Sequence, residues 1–315
     1  MEYRTLGKSG LKVSVAGLGC NNFGMKIDKE KTAEVVSKAM EAGINFFDTA
    51  DIYGGTRSEE FLGAALGSRR QDMVVATKFS SPMGGDTPLK RGGSRRWIMQ
   101  AVEDSLRRLG TDYIDLYQYH FPDADTPIEE TLRALDDLVR QGKVRYVGCS
   151  NMAGWQVAEA EWTARSEHLT RFVTAQNEYS LLNRQIEVEL IPACRQHGIG
   201  ILPYFPLASG FLSGKYRHGQ TAPEGTRLAL WGPRGQAIMS EQNFAVLGRL
   251  EAFARERERS ILELAFAWLL GHDHVPSVIA GATSAEQVEQ NTKASGWRLT
   301  PDEMAQVDEL AQWEK

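Results

Sequence analysis

The segment INFFDTADIYG, residues 44–54, is largely apolar from Ile44 to Phe47 and then presents Asp48, Thr49, Asp51 and Tyr53. A short apolar run rich in β-branched and aromatic residues reads as a strand buried on both faces. A carboxylate at its end, and a phenol five residues later, mark the place where the strand gives way to a loop. Similar runs occur at 15–21, 73–79, 113–120, 144–151, 173–180, 199–207 and 276–283. Together with 44–50 they make eight.

Most of the intervals hold one amphipathic stretch. DKEKTAEVVSKAMEAG, residues 28–43, puts Ala33, Val36, Ala39 and Met40 on one helical face. TPIEETLRALDDLVRQGK, residues 126–143, predicts a capping box with Thr126 at the N-cap, Pro127 at the first helical position and Glu129 following. Its apolar face is Leu132, Leu135, Leu138 and Val139. SRRWIMQAVEDSLRRLG, residues 94–110, opens on Ser94 and closes on Gly110, a residue type suited to a left-handed helix end. Buried strands joined by crossover helices predict a parallel sheet, and eight such units predict a closed (β/α)8 TIM barrel of the α/β class. Residues 3–6 and 11–15 flank Gly7-Lys8-Ser9-Gly10 and predict an N-terminal β-hairpin. After the seventh strand, residues 208–240 are Gly-rich and unpatterned, which predicts a long functional or mobile loop. No linker divides the chain, so 1–315 reads as a single domain.

Composition narrows the function. The 315 residues are 42% hydrophobic and 24% charged, with 36 Lys plus Arg against 41 Asp plus Glu. A net charge of −5 gives no sign of nucleic-acid binding, which usually needs a strongly basic face. No run of 18 apolar residues is present to span a membrane, and MEYRTLGKSG lacks the apolar centre of a signal peptide. Cys20, Cys149 and Cys194 are odd in number and form no CxxC, so a reducing cytoplasm is the expectation.

In barrels of this kind functional residues gather at the C-terminal strand ends. Here those ends carry Asp48 and then Tyr53, Lys78, His120, Ser150-Asn151, Gln176, Tyr204 and the segment Gly281 to Thr283. Each has a plainer alternative: Asp48 as a cap, Tyr53 and Tyr204 as packing, Lys78 as a solvated strand end, His120 as a core histidine. Four such groups on strands two, three and four nevertheless point jointly to a site.

INFFDTADIYG, MVVATKFS, DYIDLYQYHFPD and VRYVGCSN, followed by AQNEYSLLNR, LPYFPLASGFLSGKY and IAGATSAEQVEQN, resemble the aldo-keto reductase family in the right order. The resemblance covers about residues 3–295, and GGSRRWIMQAVEDSLRRL is most similar to the branch of bacterial reductases and potassium-channel β subunits. It implies the barrel already read, and reversible hydride transfer between NADPH and an aldehyde or ketone. Tyr53 would donate the proton, with Asp48, Lys78 and His120 around it. A free phenol titrates near 10, and a neighbouring ammonium is expected to lower that value. Asp48 would hold Lys78, and His120 would donate to the carbonyl oxygen.

No GxGxxG is present: GLGCNNFG spaces Gly17, Gly19 and Gly24 wrongly, so a Rossmann fingerprint is rejected. GFLSGKY falls short of a P-loop. The resemblance implies that Ser150, Asn151 and Gln176 bind the nicotinamide carboxamide and that Tyr204 stacks on its ring. Leu207, Ser209, Leu212 and Lys215 would cover the pyrophosphate, and Gly281, Thr283, Gln287, Gln290 and Asn291 would hold the adenosine. Lys215 also reads as a solvated lysine, and Gln287 as a partner of Ser284 in a helix cap. The arginine that many members place near 283 or 287 is missing, and Arg227 is the candidate substitute at the 2′-phosphate. NADPH is favoured and NADH stays open. Asn22, Phe23, Phe121 and Trp231 are expected to line the substrate mouth. His272-Asp273-His274 reads as a solvated turn and not a metal site. The expected partner is a small carbonyl compound; a nucleotide-sensing regulatory protein and an alcohol dehydrogenase are the alternatives. Substrate and oligomeric state are not set by the sequence.

Overall fold

The computed structural model describes residues 1–83 and 87–312. Strands β1 (Tyr3–Thr5) and β2 (Lys12–Ser14) pair antiparallel, with Arg4 opposite Val13. The barrel strands follow as β3 (Ala16–Gly19), β4 (Phe46–Asp48), β5 (Val74–Phe79) and β6 (Ile114–Tyr119). They continue as β7 (Val144–Ser150), β8 (Phe172–Glu178), β9 (Gly200–Tyr204) and β10 (Val278–Gly281). All pair in parallel in the order β10-β3-β4-β5-β6-β7-β8-β9, one strand per apolar run. Across the remaining seam the backbone N–H of Ile201 donates to the carbonyl of His274 at 2.8 Å.

The helices α1 (Lys29–Glu41), α2 (Arg57–Leu66), α3 (Arg95–Leu109) and α4 (Ile128–Arg140) lie after the early strands. They are followed by α5 (Gly154–Ser166), α6 (Leu190–His197), α7 (Arg227–Leu230) and α8 (Pro233–Ile238). The chain ends with α9 (Glu241–Arg255), α10 (Ile261–Gly271), α11 (Ala285–Ala294) and α12 (Pro301–Leu310). Among the described residues no helix is long and apolar enough to cross a membrane.

Two cores result. The larger packs the helices against the outer faces of the strands. The smaller fills the barrel with Phe46, Val74, Ala76, Leu116, Leu202 and Ile279, and the hairpin closes it from below with Leu6 and Val13. Gly7 makes that closure possible. Its φ is +52°, and a Cβ there would lie 2.4 Å from the Val173 carbonyl oxygen. Side chains alternate across a strand, so the residue two beyond each interior apolar residue also faces inward. Phe46 is followed in this way by Asp48, Ala76 by Lys78, Leu116 by Gln118, and Leu202 by Tyr204. A polar layer therefore sits on the apolar plug, and its position follows from the alternation alone.

Three local expectations are corrected. In α1 the buried stripe is Thr32, Val35, Val36 and Ala39; Ala33 lies beyond its edge and is exposed. Thr126 caps nothing: its hydroxyl donates to the Asp123 carboxylate at 2.7 Å, and Pro127 takes the N-cap of α4. Segment 208–240 is built rather than featureless, with a 3-10 turn at Ala208–Ser213 and the short helices α7 and α8. Ser94 and Gly110 bound α3 as expected, Gly110 at φ +63°.

Candidate active site

Asp48 ends β4 with its carboxylate in the polar layer. One oxygen meets Lys78 Nζ at 2.7 Å; the other accepts from the amides of Gln118 at 3.1 Å and Gln176 at 2.9 Å. Lys78 is fully buried and also donates to the Thr49 carbonyl at 2.7 Å. Burial opposes its charge, while Asp48 and Tyr53 favour it, and the net shift is upward. Lys78 is thus held as an ammonium.

Tyr53 returns to this group because the chain doubles back after β4. It opens a 3-10 turn, Tyr53–Thr56, in which Gly54 and Gly55 have φ of +60° and +65°. A Cβ on Gly54 would lie 2.3 Å from the Phe23 carbonyl oxygen, so only glycine lets the turn close. Lys78 Nζ lies 5.0 Å from the centroid of the Tyr53 ring, and the His120 ring stands 6.0 Å away, nearly perpendicular at 81°. Burial raises the Tyr53 pKa, and Lys78 only partly offsets it. The net shift is upward, opposite to the sequence expectation, because enclosure outweighs one neighbouring cation. Burial and then the Lys78 charge press His120 down to about 3, so its ring is neutral. Its Nδ1 faces the Ser81 hydroxyl at 3.2 Å.

The neighbouring strand ends form one polar network. Ser150 donates to the Gln176 carbonyl at 2.8 Å. The Asn151 amide donates to the His120 carbonyl at 2.9 Å and to Ser150 Oγ at 3.0 Å, and Tyr204 donates to Asn151 Oδ1 at 2.9 Å. Asn151, Phe205, Ala208 and Ser209 all have positive φ without being glycine, a concentration of strain typical of functional loops. Beyond Tyr204, Phe205 meets Trp231 edge-on at 5.6 Å, and Arg227 lies over the Phe205 ring at 5.2 Å.

Arg227 is half-buried and stands near Lys26 and Lys215. Burial first, and then Arg227, pulls the Lys26 pKa down; Lys215 is lowered by burial, Lys26 and Arg227 in turn. Among the described residues none of the three has a carboxylate partner, so their positive charges are uncompensated locally. On the β10 side, Gly281 lies beside Asn22: a Cβ there would be 3.1 Å from Asn22 Nδ2. Asn22 is buried with its Oδ1 unpartnered. Gln287 Oε1 accepts from the Thr283 backbone N–H at 2.8 Å and from its hydroxyl at 3.2 Å, while Ser284 Oγ accepts from the Gln287 N–H. Gln287 therefore makes only half a capping box. Gln290 is exposed on α11 and Asn291 is buried there.

Some expected contacts fall elsewhere. Phe23 and Leu212 are fully buried in the outer core, so neither side chain opens to a ligand. Gln176 turns its amide to Asp48. Ser209 is buried and Leu207 partly so. Phe121 is 49% exposed and stacks on His120 at 4.4 Å, which puts it at the mouth, while Trp231 packs on Phe205. The turn at 272–274 is solvated at Asp273, whose side chain is 82% exposed, but His272 packs edge-on to Trp268 at 4.8 Å, and burial lowers it to about 4. Among the described residues no group of three or more His, Cys, Asp or Glu is arranged for a metal. Sequence reasoning missed Gln118, Ser81 and Lys26. Gln118 was findable, since it precedes His120 by two and shares its face.

A strand-end tetrad of this composition inside a (β/α)8 barrel defines a class of oxidoreductase, and comparison with known proteins agrees. The profile of the aldo/keto reductase family matches residues 16–312, and the chain belongs to that family. It is 37% identical over 321 residues to a probable voltage-gated potassium channel subunit beta of Arabidopsis thaliana, covering 99% of this chain and 97% of that protein. It is 37% identical to the uncharacterized oxidoreductase YrpG of Bacillus subtilis (strain 168), covering 93% and 91% respectively. Versiconal hemiacetal acetate reductase of Aspergillus parasiticus is 34% identical, with 98% and 96% covered.

Proposed function

We propose that this chain, acting as one unit over 1–315, is an NADPH-dependent reductase of small aldehydes or ketones in the cytoplasm. The observation that carries the reading is the convergence of half-buried Tyr53 with buried Lys78, Asp48 and His120 at a barrel mouth. The cationic cluster of Lys26, Lys215 and Arg227 suits the phosphates of a dinucleotide, and the strand-end amide of Asn151 suits a carboxamide. NADPH, when bound, would supply the hydride. Tyr53 then hands its proton to the carbonyl oxygen as negative charge builds there. Lys78 stabilises the phenolate left behind, and Asp48 keeps Lys78 charged and in place. Neutral His120, in the tautomer that accepts from Ser81 at Nδ1, would present a donor at Nε2 to orient the carbonyl. Arg227 would grip the 2′-phosphate.

Tyr53→Phe should fold, bind NADPH and lose about 10²–10⁴-fold in aldehyde turnover. Near-normal turnover in stopped-flow NADPH oxidation would remove Tyr53 from the role. The similarity to channel β subunits favours a second reading, a nucleotide-sensing subunit. Slow turnover on every aldehyde tried, together with a tightly bound partner protein, would select it.

A further inference from the structure

A cavity lies outside the barrel, along α3 and beside Leu89 and Lys90. Its volume is about 660 Å³, and it is lined by Asp51, Trp97, Ala101, Leu89, Lys90 and Arg96 among others. That size lies within the roughly 300–1,000 Å³ of small-molecule sites. It does not open on the tetrad, because Asp48 points into the barrel whereas Asp51 reaches this outer groove.

Its floor carries polar atoms with nothing to bond. Asp51 is 1% exposed and Trp97 4% exposed, yet Trp97 Nε1 lacks a partner and the Asp51 carboxyl has only the adjacent Ile52 backbone N–H, which forms no full hydrogen bond with it. Buried polar atoms are rarely left so, and each costs about 1–3 kcal/mol when unmet. The ionic groups nearby are mostly committed elsewhere. Arg108 is paired with Glu59 at 2.6 Å, and Asp104 accepts from Arg107 at 2.6 Å. At the mouth, Lys90 and Arg96 have no carboxylate partner among the described residues; Arg96 reaches only the Leu89 carbonyl, at 3.4 Å. Leu89, Ala101 and the Trp97 ring supply apolar walls.

We propose that this groove binds a small organic monocarboxylate, its head on Trp97 Nε1–H, Asp51 and Arg96 and its apolar body against Leu89 and Ala101. Asp51 contributes as a neutral acid that donates its proton in a hydrogen bond. Burial and then the Glu59 charge push it up to about 8. The charged and titratable groups around it are Glu59 on α2, Asp104 and Arg108 on α3, Lys78 on β5 and Tyr117 on β6, with Lys90 and Arg96 at the mouth. A neutral apolar ligand would leave the donors unmet, and an organic cation would meet two uncompensated positive charges.

Calorimetry on the full chain with NADP⁺ present tests this, with benzoate, octanoate, benzyl alcohol and benzylamine as probes at pH 7. Benzoate or octanoate should bind and the other two should not. Trp97→Phe, which keeps the ring and removes the N–H, should weaken the acid by about 10-fold or more, and Arg96→Gln by a similar factor. Wild-type affinity should fall as pH rises above about 8, when an ionised Asp51 repels the ligand, and Asp51→Asn should lose that dependence. No binding of either acid, tighter binding of benzylamine, or an acid affinity unchanged in both Trp97→Phe and Arg96→Gln would overturn the assignment.

Discussion

Asp48 and Lys78 show how a few residues set the chemistry of a site. The ammonium is fully enclosed, so its charge depends on the carboxylate 2.7 Å away. Removing one partner of such a pair leaves the other buried and uncompensated. Asp48→Asn should therefore cost about 3–5 kcal/mol of folding stability, measured by urea denaturation, as well as activity. A loss below about 1 kcal/mol would mean that Gln118, Gln176 and Thr49 hold Lys78 without it. The identities of these residues were readable from their places at strand ends. Their energetics were not, because the upward shift of Tyr53 comes from enclosure by side chains far away in the chain. Lys26 was hidden for a related reason: it lies in a loop without periodicity, and only the folded chain brings it toward Lys215 and Arg227.

The elements differ in how much the sequence told of them. Every barrel strand announced itself by an apolar run, and α3 by both of its caps. The segment after β9 did not, because α7 and α8 have only four and six residues, too few for a helical period to register. Contacts such as Arg227 over Phe205 hold that segment instead. The capping motif at Thr126 failed because α4 begins one residue later than the motif requires, with Pro127 at the N-cap, so Thr126 stands outside the helix and its hydroxyl donates to Asp123 instead. Arg227→Met should raise the Kd for NADPH about 10-fold or more while changing the Kd for NADH little. Fluorescence titration of both nucleotides checks this, and equal losses would take Arg227 off the 2′-phosphate.

The molecule as a unit is a polar layer resting on an apolar plug that the hairpin closes. Leu6 is fully buried among Phe46, Val74 and Leu202, though it belongs to a turn outside the barrel sheet. Leu6→Ala should cost about 2–5 kcal/mol, read as a lower thermal midpoint, with little change in KM because the tetrad lies at the other end. The hairpin was legible from its turn, but its role as a stopper was not, since nothing in a short strand pair says what it will cover.

The three cysteines are all free and buried, near β3, on β7 and on α6. Burial also lifts their pKa, Cys194 to about 12, and holds Cys20 and Cys149 well above the ordinary thiol value. A maleimide added to the native protein should therefore find no thiolate, and tagging should advance only as fast as the barrel opens. Mass spectrometry of the tagged peptides would then time the opening around Cys20 and, separately, around the neighbouring Cys149 and Cys194, a stopwatch already wired into the chain.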